Sequence, residues 1–174
     1  MWEGKNVTVF VTGGIAAFKA ATLVRLFVKA GANVEVAMTK SACEFVTPLT
    51  FQVLTKNKVQ TDTFDEYEAD RVQHIHLADK TDVAVVVPAT ANTIAKLANG
   101  IADNFVTSTL LAITAPVYVA PAMNEHMWEN PATVRNVAQL KADGKVIIEP
   151  ATGFLAEGYN GKGRLPEPEE IFEQ

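Results

Sequence analysis

The chain has 174 residues, of which 48% are hydrophobic and 20% are charged, and its formal net charge is −5 at pH 7. This length predicts one domain over residues 1–174, and this composition argues against a disordered or fibrous chain. The acidic balance argues against general nucleic-acid binding. The single cysteine excludes an internal disulfide, and neither a signal peptide nor a membrane-spanning run is visible, so we expect a cytoplasmic protein.

Short apolar strands alternate with helical segments in the first half of the chain. The runs Val7–Val11 and Val34–Met38 predict buried strands, and the spacing between them predicts a helix over Ile15–Ala30. The next segments are shorter: helical turns at Thr39–Val46 and Thr50–Leu54, an ambiguous, extended stretch at Lys58–Phe64, and an exposed acidic stretch at Asp65–Asp70.

The same alternation continues in the second half. The run from Asp82 to Pro88 is the clearest buried strand. Further predicted elements are helices at Asn92–Ala98, Asn104–Ile113 and Pro131–Ala142, and strands at Pro116–Ala120 and Val146–Ile148. Thr152–Arg164 contains four glycines and predicts a mobile loop, which a short acidic tail follows.

Strands of continuous apolar sequence that alternate with helices predict a parallel sheet covered on both faces. The expected fold class is therefore α/β: a doubly wound, mostly parallel sheet with helices on both faces, a flavodoxin- or Rossmann-like three-layer sandwich. Ligands bind at the carboxyl ends of the strands in such sheets. The segments that directly follow the strands are therefore the first candidates for a functional site.

Two of these segments favour a phosphate-bearing ligand. Gly13 and Gly14 follow the first strand, where glycines let an anion approach a helix N-terminus, although an ordinary tight turn explains them equally well. Thr39, Lys40 and Ser41 follow the second strand, where a dinucleotide fold would carry an acidic residue for a ribose. Hydroxyls and an ammonium favour a mononucleotide such as FMN over NAD, and Thr39 is also a compatible helix N-cap.

The later strand ends carry small residues and amides. Pro88–Thr93 would let a flat ring approach, although a capped helix start gives the same pattern. In the segment Pro121–Trp128, the Asn124 amide can donate to a carboxylate of a ligand. The alternative interpretation of this segment is a turn whose Met/Trp pair packs in the core. One of the three histidines, His74, His76 and His126, could serve as a catalytic base, although a lone histidine is more often structural, and without a Cys/His cluster we expect no metal.

Six motifs follow one another along nearly the whole chain: Val11–Ala17, His74-Ile75-x-Leu77, Pro88–Thr93, Gly100–Asn104, Pro121–Trp128 and Gly161–Pro168. In this order they resemble the homo-oligomeric flavin-containing cysteine decarboxylase family. The resemblance implies FMN-dependent decarboxylation of 4′-phosphopantothenoylcysteine to 4′-phosphopantetheine in coenzyme A biosynthesis. It also implies a homotrimer that can assemble into a dodecamer, with FMN at subunit contacts, and a phosphopantothenoylcysteine synthetase as partner.

The resemblance also implies roles for individual residues. His74 matches the catalytic histidine and Asn124 the residue that holds the substrate carboxylate. The cofactor-binding residues would be Gly13, Gly14, Ile15, Thr39, Phe45, Pro88, Ala89, Thr90, Ala91, Asn92, Ala122 and Met123. The substrate-binding residues would be Asn124, Met127, Lys162 and Arg164.

The implied chemistry oxidises the substrate cysteine to a thioaldehyde, releases carbon dioxide and then reduces the resulting enethiol. Several family members carry a loop cysteine as proton donor for the last step, whereas this chain has Glu157 there. Glu157 or Tyr159 could donate instead, as could water or the substrate, and a solvated loop carboxylate is an equally good interpretation of Glu157. Three other functions stay open: a peptidyl-cysteine decarboxylase that stops at the enethiol, a non-catalytic FMN-binding regulatory paralogue, and a flavin prenyltransferase.

Overall fold

A five-stranded parallel sheet forms the centre of the protein, which a computed structural model describes over residues 1–174. Its strands are β1 (Asn6–Val11), β2 (Asn33–Met38), β3 (Val83–Ala89), β4 (Val117–Pro121) and β5 (Val146–Ile147), in the order β2-β1-β3-β4-β5. The helices are α1 (Ala17–Lys29), α2 (Lys40–Phe45), α3 (Pro48–Thr55), α4 (Gln73–Lys80), α5 (Ala91–Asn99), α6 (Phe105–Ala112), α7 (Glu125–Glu129), α8 (Pro131–Ala142) and α9 (Pro168–Glu173). An antiparallel hairpin, β6 (Ala151–Phe154) and β7 (Asn160–Arg164), lies outside the sheet.

Helices cover both faces of the sheet, so the predicted doubly wound α/β class is confirmed. Successive strand residues point to opposite faces. Val9 and Val11 of β1 accordingly pack with Phe27 of α1 in one buried cluster, whereas Phe10 packs with Phe105 of α6 in a second cluster. None of the helices is both long and apolar enough to span a membrane.

The segment predicted as a mobile loop, Thr152–Arg164, is instead mostly the β6–β7 hairpin, so that prediction is wrong. Phe154 pairs with Asn160, and the tip is closed by a hydrogen bond from Leu155 N to Tyr159 O of 2.8 Å. The glycines allow close packing: a Cβ on Gly163, whose φ is +141°, would lie 2.1 Å from a main-chain oxygen. The glycines that suggested a loop therefore serve this packing of backbone against backbone.

Other boundaries also differ from the sequence-based expectation. The first helix begins at Ala17 rather than Ile15, and the segment after β4 contains α7 instead of only a turn. Gln60 of the ambiguous stretch pairs with Ala37 at the outer edge of β2. The acidic tail forms α9 because Phe172 packs 5.1 Å from Phe27, ring centroid to ring centroid.

Candidate active site

The carboxyl ends of the central strands are joined into one edge by main-chain hydrogen bonds. Thr39 N donates to Val11 O over 3.1 Å, which links the ends of β2 and β1. Ala122 N donates to Ala89 O over 3.2 Å, which links the segment after β4 to the end of β3. The segments that the sequence singled out after the first four strands therefore lie along one edge of the sheet.

The turn between β1 and α1 approaches the start of α2 so closely that only glycine fits at position 13. A Cβ on Gly13 would lie 2.3 Å from Ser41 Cβ and 3.0 Å from the Ser41 carbonyl carbon. Gly14 is less constrained, because its Cβ would meet Pro88 at 3.8 Å and Thr90 at 3.9 Å. The turn that leads into α1 consequently packs against the start of α2.

Thr12 ties the turn after β1 to the segment after β3. Its buried hydroxyl donates to Pro88 O over 2.5 Å and accepts from Thr90 N over 3.1 Å. Thr90 and Thr39 are both helix N-caps, accepting from Thr93 N and Ala42 N respectively at 3.1 Å. The compatible capping role of Thr39 is thus observed, and its hydroxyl still has a hydrogen to donate to a ligand, whereas the Thr90 hydroxyl donates to Thr93 Oγ1 over 3.3 Å.

These segments border a polar cavity of about 540 Å³, within the range of roughly 300–1,000 Å³ found for small-molecule sites. Its lining consists of Gly13, Thr39, Lys40, Ser41, Thr61, Asp62, Thr63, Phe64, Thr90, Asn92, Thr93, Lys96, Asp103, Asn104 and Phe105. A hydrogen bond from Lys96 holds the pKa of Asp103 below its ordinary value, so this carboxylate stays ionised and paired. Burial, and then the charge of Glu44, raise the pKa of the Cys43 thiol on α2, which favours the neutral thiol.

The remaining predicted cofactor residues lie around the cavity rather than in its lining. Pro88, Ala89 and Ala91 occupy the end of β3 and the start of α5. Ala122 and Met123 pack partly buried against the two core clusters. Ile15 and Phe45 are 60% and 49% exposed, so within this chain they present apolar surface to solvent.

His74 lies on α4 with its ring edge-on to Phe105, at a centroid distance of 6.4 Å. Phe105 also lines the cavity, so this contact places the imidazole beside it. The Nδ1 atom of His74 is buried and has no hydrogen-bond partner. His76 is different, because its Nε2 lies 3.2 Å from the Arg71 guanidinium on the protein surface. Phe105 was not selected from the sequence, since nothing local distinguishes it from an ordinary core residue.

Asn124 forms hydrogen bonds with three groups, one of them on α7 and two at the hairpin tip. Its Oδ1 accepts from His126 N over 2.8 Å and so caps α7. Its Nδ2 donates to Glu157 Oε1 over 2.7 Å and to Tyr159 Oη over 2.8 Å. Both residues that the sequence offered as proton donors therefore contact the residue expected to hold the substrate carboxylate.

The hairpin is anchored beside Asn124 by contacts that the sequence did not reveal. Met123 N donates to Gly163 O over 3.0 Å, and Lys162 N donates to the Glu125 carboxylate over 3.2 Å. A Cβ on Gly161 would lie 2.9 Å from that same carboxylate. The local sequence gives no signal for this arrangement, because it depends on α7 and the hairpin meeting in space.

The predicted substrate-binding cations are both exposed and paired. Lys162 Nζ lies 3.2 Å from Glu149 Oε2, and Arg164 Nη2 lies 3.0 Å from Glu167 Oε1. Burial raises the pKa of Glu149, but hydrogen bonds from its lysine partners outweigh burial and leave that pKa below its ordinary value. Met127 is 48% exposed on α7. An incoming phosphate would have to compete with these carboxylates.

The candidate residues thus form two groups within one chain. The first group borders the cavity and includes Gly13, Thr39, Thr90 and His74. The second group is centred on Asn124 at the hairpin tip. No hydrogen bond connects His74 with Asn124. No three His, Cys, Asp or Glu side chains converge in a way that could hold a metal ion.

Comparison with known proteins identifies the family, because the Flavoprotein family matches residues 1–174. The chain belongs to the Flavoprotein family. It is 57% identical over 171 residues to the "Coenzyme A biosynthesis bifunctional protein CoaBC" of Bacillus subtilis (strain 168), covering 98% of this chain and 42% of that protein. The chain therefore spans less than half the length of this relative.

Two solved structures of this flavoprotein fold extend the comparison. A "PPC decarboxylase mutant C175S complexed with pantothenoylaminoethenethiol" superimposes with a TM-score of 0.88 at 35% identity, covering 98% of this chain and 96% of that chain. "The FMN binding protein AtHal3" superimposes with a TM-score of 0.84 at 34% identity, covering 98% and 94%. Both matches extend over almost the entire flavoprotein chain.

Proposed function

We propose that this flavoprotein binds FMN and decarboxylates 4′-phosphopantothenoylcysteine to 4′-phosphopantetheine in coenzyme A biosynthesis. The observation that carries the proposal is the polar cavity, where Gly13, Thr39 and Thr90 meet at the ends of three adjacent parallel strands. The similarity of the whole chain to the structures of a PPC decarboxylase and an FMN-binding protein supports the same assignment.

The residues around the cavity suit FMN. Gly13 lets the turn after β1 pack directly against the start of α2, and the cap hydroxyl of Thr39 retains a hydrogen to donate to a phosphate oxygen. The Thr90 hydroxyl donates to Thr93 Oγ1 over 3.3 Å and would offer a ribityl group its remaining acceptor capacity. No acidic side chain follows β2 at the place where a dinucleotide ribose would need one. We infer that Gly14, Ile15, Phe45, Pro88–Asn92, Ala122 and Met123 complete the binding site. Bound FMN would supply the two-electron oxidation of the substrate cysteine and return the electrons after decarboxylation.

The two groups of side chains have complementary tasks in this proposal. His74 presents a buried Nδ1 without a partner beside the cavity, so its imidazole can take or give a proton at the substrate. The Asn124 amide donates from Nδ2 and would orient the substrate carboxylate. Glu157 or Tyr159, both bonded to that amide, is the proton donor proposed for the final reduction, and Glu157 can serve as donor only in its protonated form. Met127, Lys162 and Arg164 would contact the rest of the substrate.

We also propose a homo-oligomeric assembly. No hydrogen bond connects His74 of the cavity group with Asn124, and the apolar side chains of Ile15 and Phe45 are exposed. A trimer with FMN at subunit contacts, which could assemble further into a dodecamer, would cover such side chains and complete the site. We further propose that residues 1–174 act as a single FMN-binding domain and that a phosphopantothenoylcysteine synthetase is the partner, as the bifunctional B. subtilis relative suggests.

The histidine assignment is tested by a matched pair of substitutions on α4. We expect His74→Asn to abolish decarboxylation while the protein keeps its bound flavin, measured by product mass and by the visible absorption spectrum. His76→Asn is the control, because His76 contacts Arg71 at the surface and does not border the cavity. Normal turnover by His74→Asn would show that the catalytic role is assigned to the wrong residue.

The complete reaction is tested by anaerobic incubation of the FMN-loaded protein with 4′-phosphopantothenoylcysteine, followed by mass spectrometry. Loss of carbon dioxide alone is the expected result and means that the full cycle runs without a loop cysteine. Loss of carbon dioxide plus two hydrogens, with the flavin bleached, would mean that the reaction stops at the enethiol. No mass change would contradict the proposed decarboxylase function itself.

A further inference from the structure

We propose that Glu157 is a specificity-determining residue, an internal carboxylate that occupies the Asn124 amide and competes there with the carboxylate of the substrate. The proposal rests on the proposed function, since it takes the ligand to be a cysteine-derived carboxylate. Its structural basis is the contact between Glu157 Oε1 and Asn124 Nδ2, which is 2.7 Å long and joins residues 33 positions apart.

The orientation of the Asn124 amide is fixed by its neighbours. A backbone N–H can only donate, so the Asn124 atom that faces His126 N at 2.8 Å must be the oxygen. The amide nitrogen therefore faces the hairpin tip. An amide nitrogen has two hydrogens, and in this structure one goes to Glu157 and the other to Tyr159. The amide nitrogen is thus saturated by the chain's own groups.

A substrate carboxylate that binds this amide must displace one of the two acceptors. The Tyr159 hydroxyl can stay, because it can turn and donate its own hydrogen to the arriving carboxylate. An ionised Glu157 can only accept, and it would place a second negative charge beside the first. Glu157 is therefore the group that leaves, whereas Tyr159 changes from acceptor to donor.

The hairpin allows this exchange without unfolding. Glu157 is exposed at the tip, so its side chain can rotate into solvent. The tip backbone stays closed by the bond from Gly158 N to Leu155 O of 3.0 Å, and the strands stay anchored through Gly163. Once carbon dioxide is lost, the product has no carboxylate, and Glu157 can return to Asn124. Glu157 consequently weakens the binding of carboxylated ligands and leaves decarboxylated ligands unaffected.

The test compares two unreactive probes on the FMN-loaded protein by calorimetry. The serine analogue of the substrate, 4′-phosphopantothenoylserine, has the carboxylate but no thiol, and its ethanolamine counterpart lacks the carboxylate as well. An internal competitor reduces the apparent affinity in proportion to the fraction of time for which it leaves the site free, so one bound for most of the time weakens binding several-fold. We therefore expect Glu157→Ala and Glu157→Gln to tighten binding of the serine probe by roughly three- to ten-fold, with the ethanolamine probe unchanged within about two-fold.

Tyr159→Phe provides a prediction of opposite sign, because it removes the hydroxyl that becomes a donor. We expect this variant to weaken the serine probe and to leave the ethanolamine probe unchanged. A merely structural role for the tip would weaken both probes in all three variants, and that result would overturn the proposal.

Asn124→Ala separates this inference from the proposed function. If it weakens the serine probe selectively while Glu157→Ala has no effect, the decarboxylase assignment stands and the competition by Glu157 is refuted. If neither probe binds the wild-type protein, the proposed substrate class is wrong and the inference falls with it.

Discussion

The substitution Gly13→Ala tests whether the close approach of two turns builds the cofactor cavity. The added Cβ would lie 2.3 Å from Ser41 Cβ, whereas ordinary contacts are 3.4–4 Å, so α1 and α2 must separate by about 1 Å. Ser41 Cβ is attached directly to the backbone of α2, so no flexible side chain can absorb the overlap. Overpacking of this kind destabilises by about 1–3 kcal/mol.

The neighbouring glycine is the matched control. A Cβ on Gly14 would meet its nearest atoms at 3.8 and 3.9 Å, which is ordinary contact. Replacement of an unstrained glycine restricts the unfolded chain, so we expect Gly14→Ala to be neutral or to stabilise by up to ~1 kcal/mol. Urea unfolding measures the free energies of unfolding of both variants. The FMN-free proteins are used because added FMN would shift the apparent stability.

The reasoning is checked further by a double variant and a binding measurement. Ser41→Gly in the Gly13→Ala protein removes the atom at 2.3 Å but leaves the backbone of residue 41 at 3.0 and 3.2 Å, so we expect only partial recovery. A displaced α2 should also weaken FMN binding by about ten-fold or more, since each 1.4 kcal/mol is a factor of ten. Equal unfolding free energies for Gly13→Ala and Gly14→Ala would refute the steric argument.

Two further predictions concern stability. Phe172→Ala should lower the free energy of unfolding by about 3 kcal/mol, because it removes the aromatic contact that holds α9 on Phe27. Urea unfolding measures this loss, with unchanged secondary structure as the control. A loss below about 0.5 kcal/mol would contradict the prediction. The lowered pKa of Glu149 stabilises the native state above the ordinary glutamate value of about 4.3, and this contribution is lost as pH falls through the folded pKa. Glu149→Gln should therefore destabilise at pH 7 by at most ~1 kcal/mol, since the pair is half-exposed, and the difference from wild type should shrink as pH falls through the folded pKa of Glu149.

The sequence was sufficient for the sheet and for the edge where a ligand would bind. Val83–Ala89 is a continuous apolar run with a helix on either side in sequence, and such runs form buried parallel strands largely independently of distant residues. The carboxyl ends of parallel strands share one edge, so the positions of Gly13, Thr39 and Thr90 on one cavity followed from the strand assignments alone.

The hairpin and its contacts were decided only by the tertiary structure. The segment 151–164 has no apolar periodicity, and its strands form because Glu125 and Met123 bind its backbone from another part of the chain. Likewise, Glu157 and Tyr159 reach Asn124 across 33 and 35 residues. Local patterns encode which face of a strand or helix is buried. Contacts between two polar loops depend instead on how the completed core positions the loops. No residue pattern within either loop specifies that the two loops will be in contact.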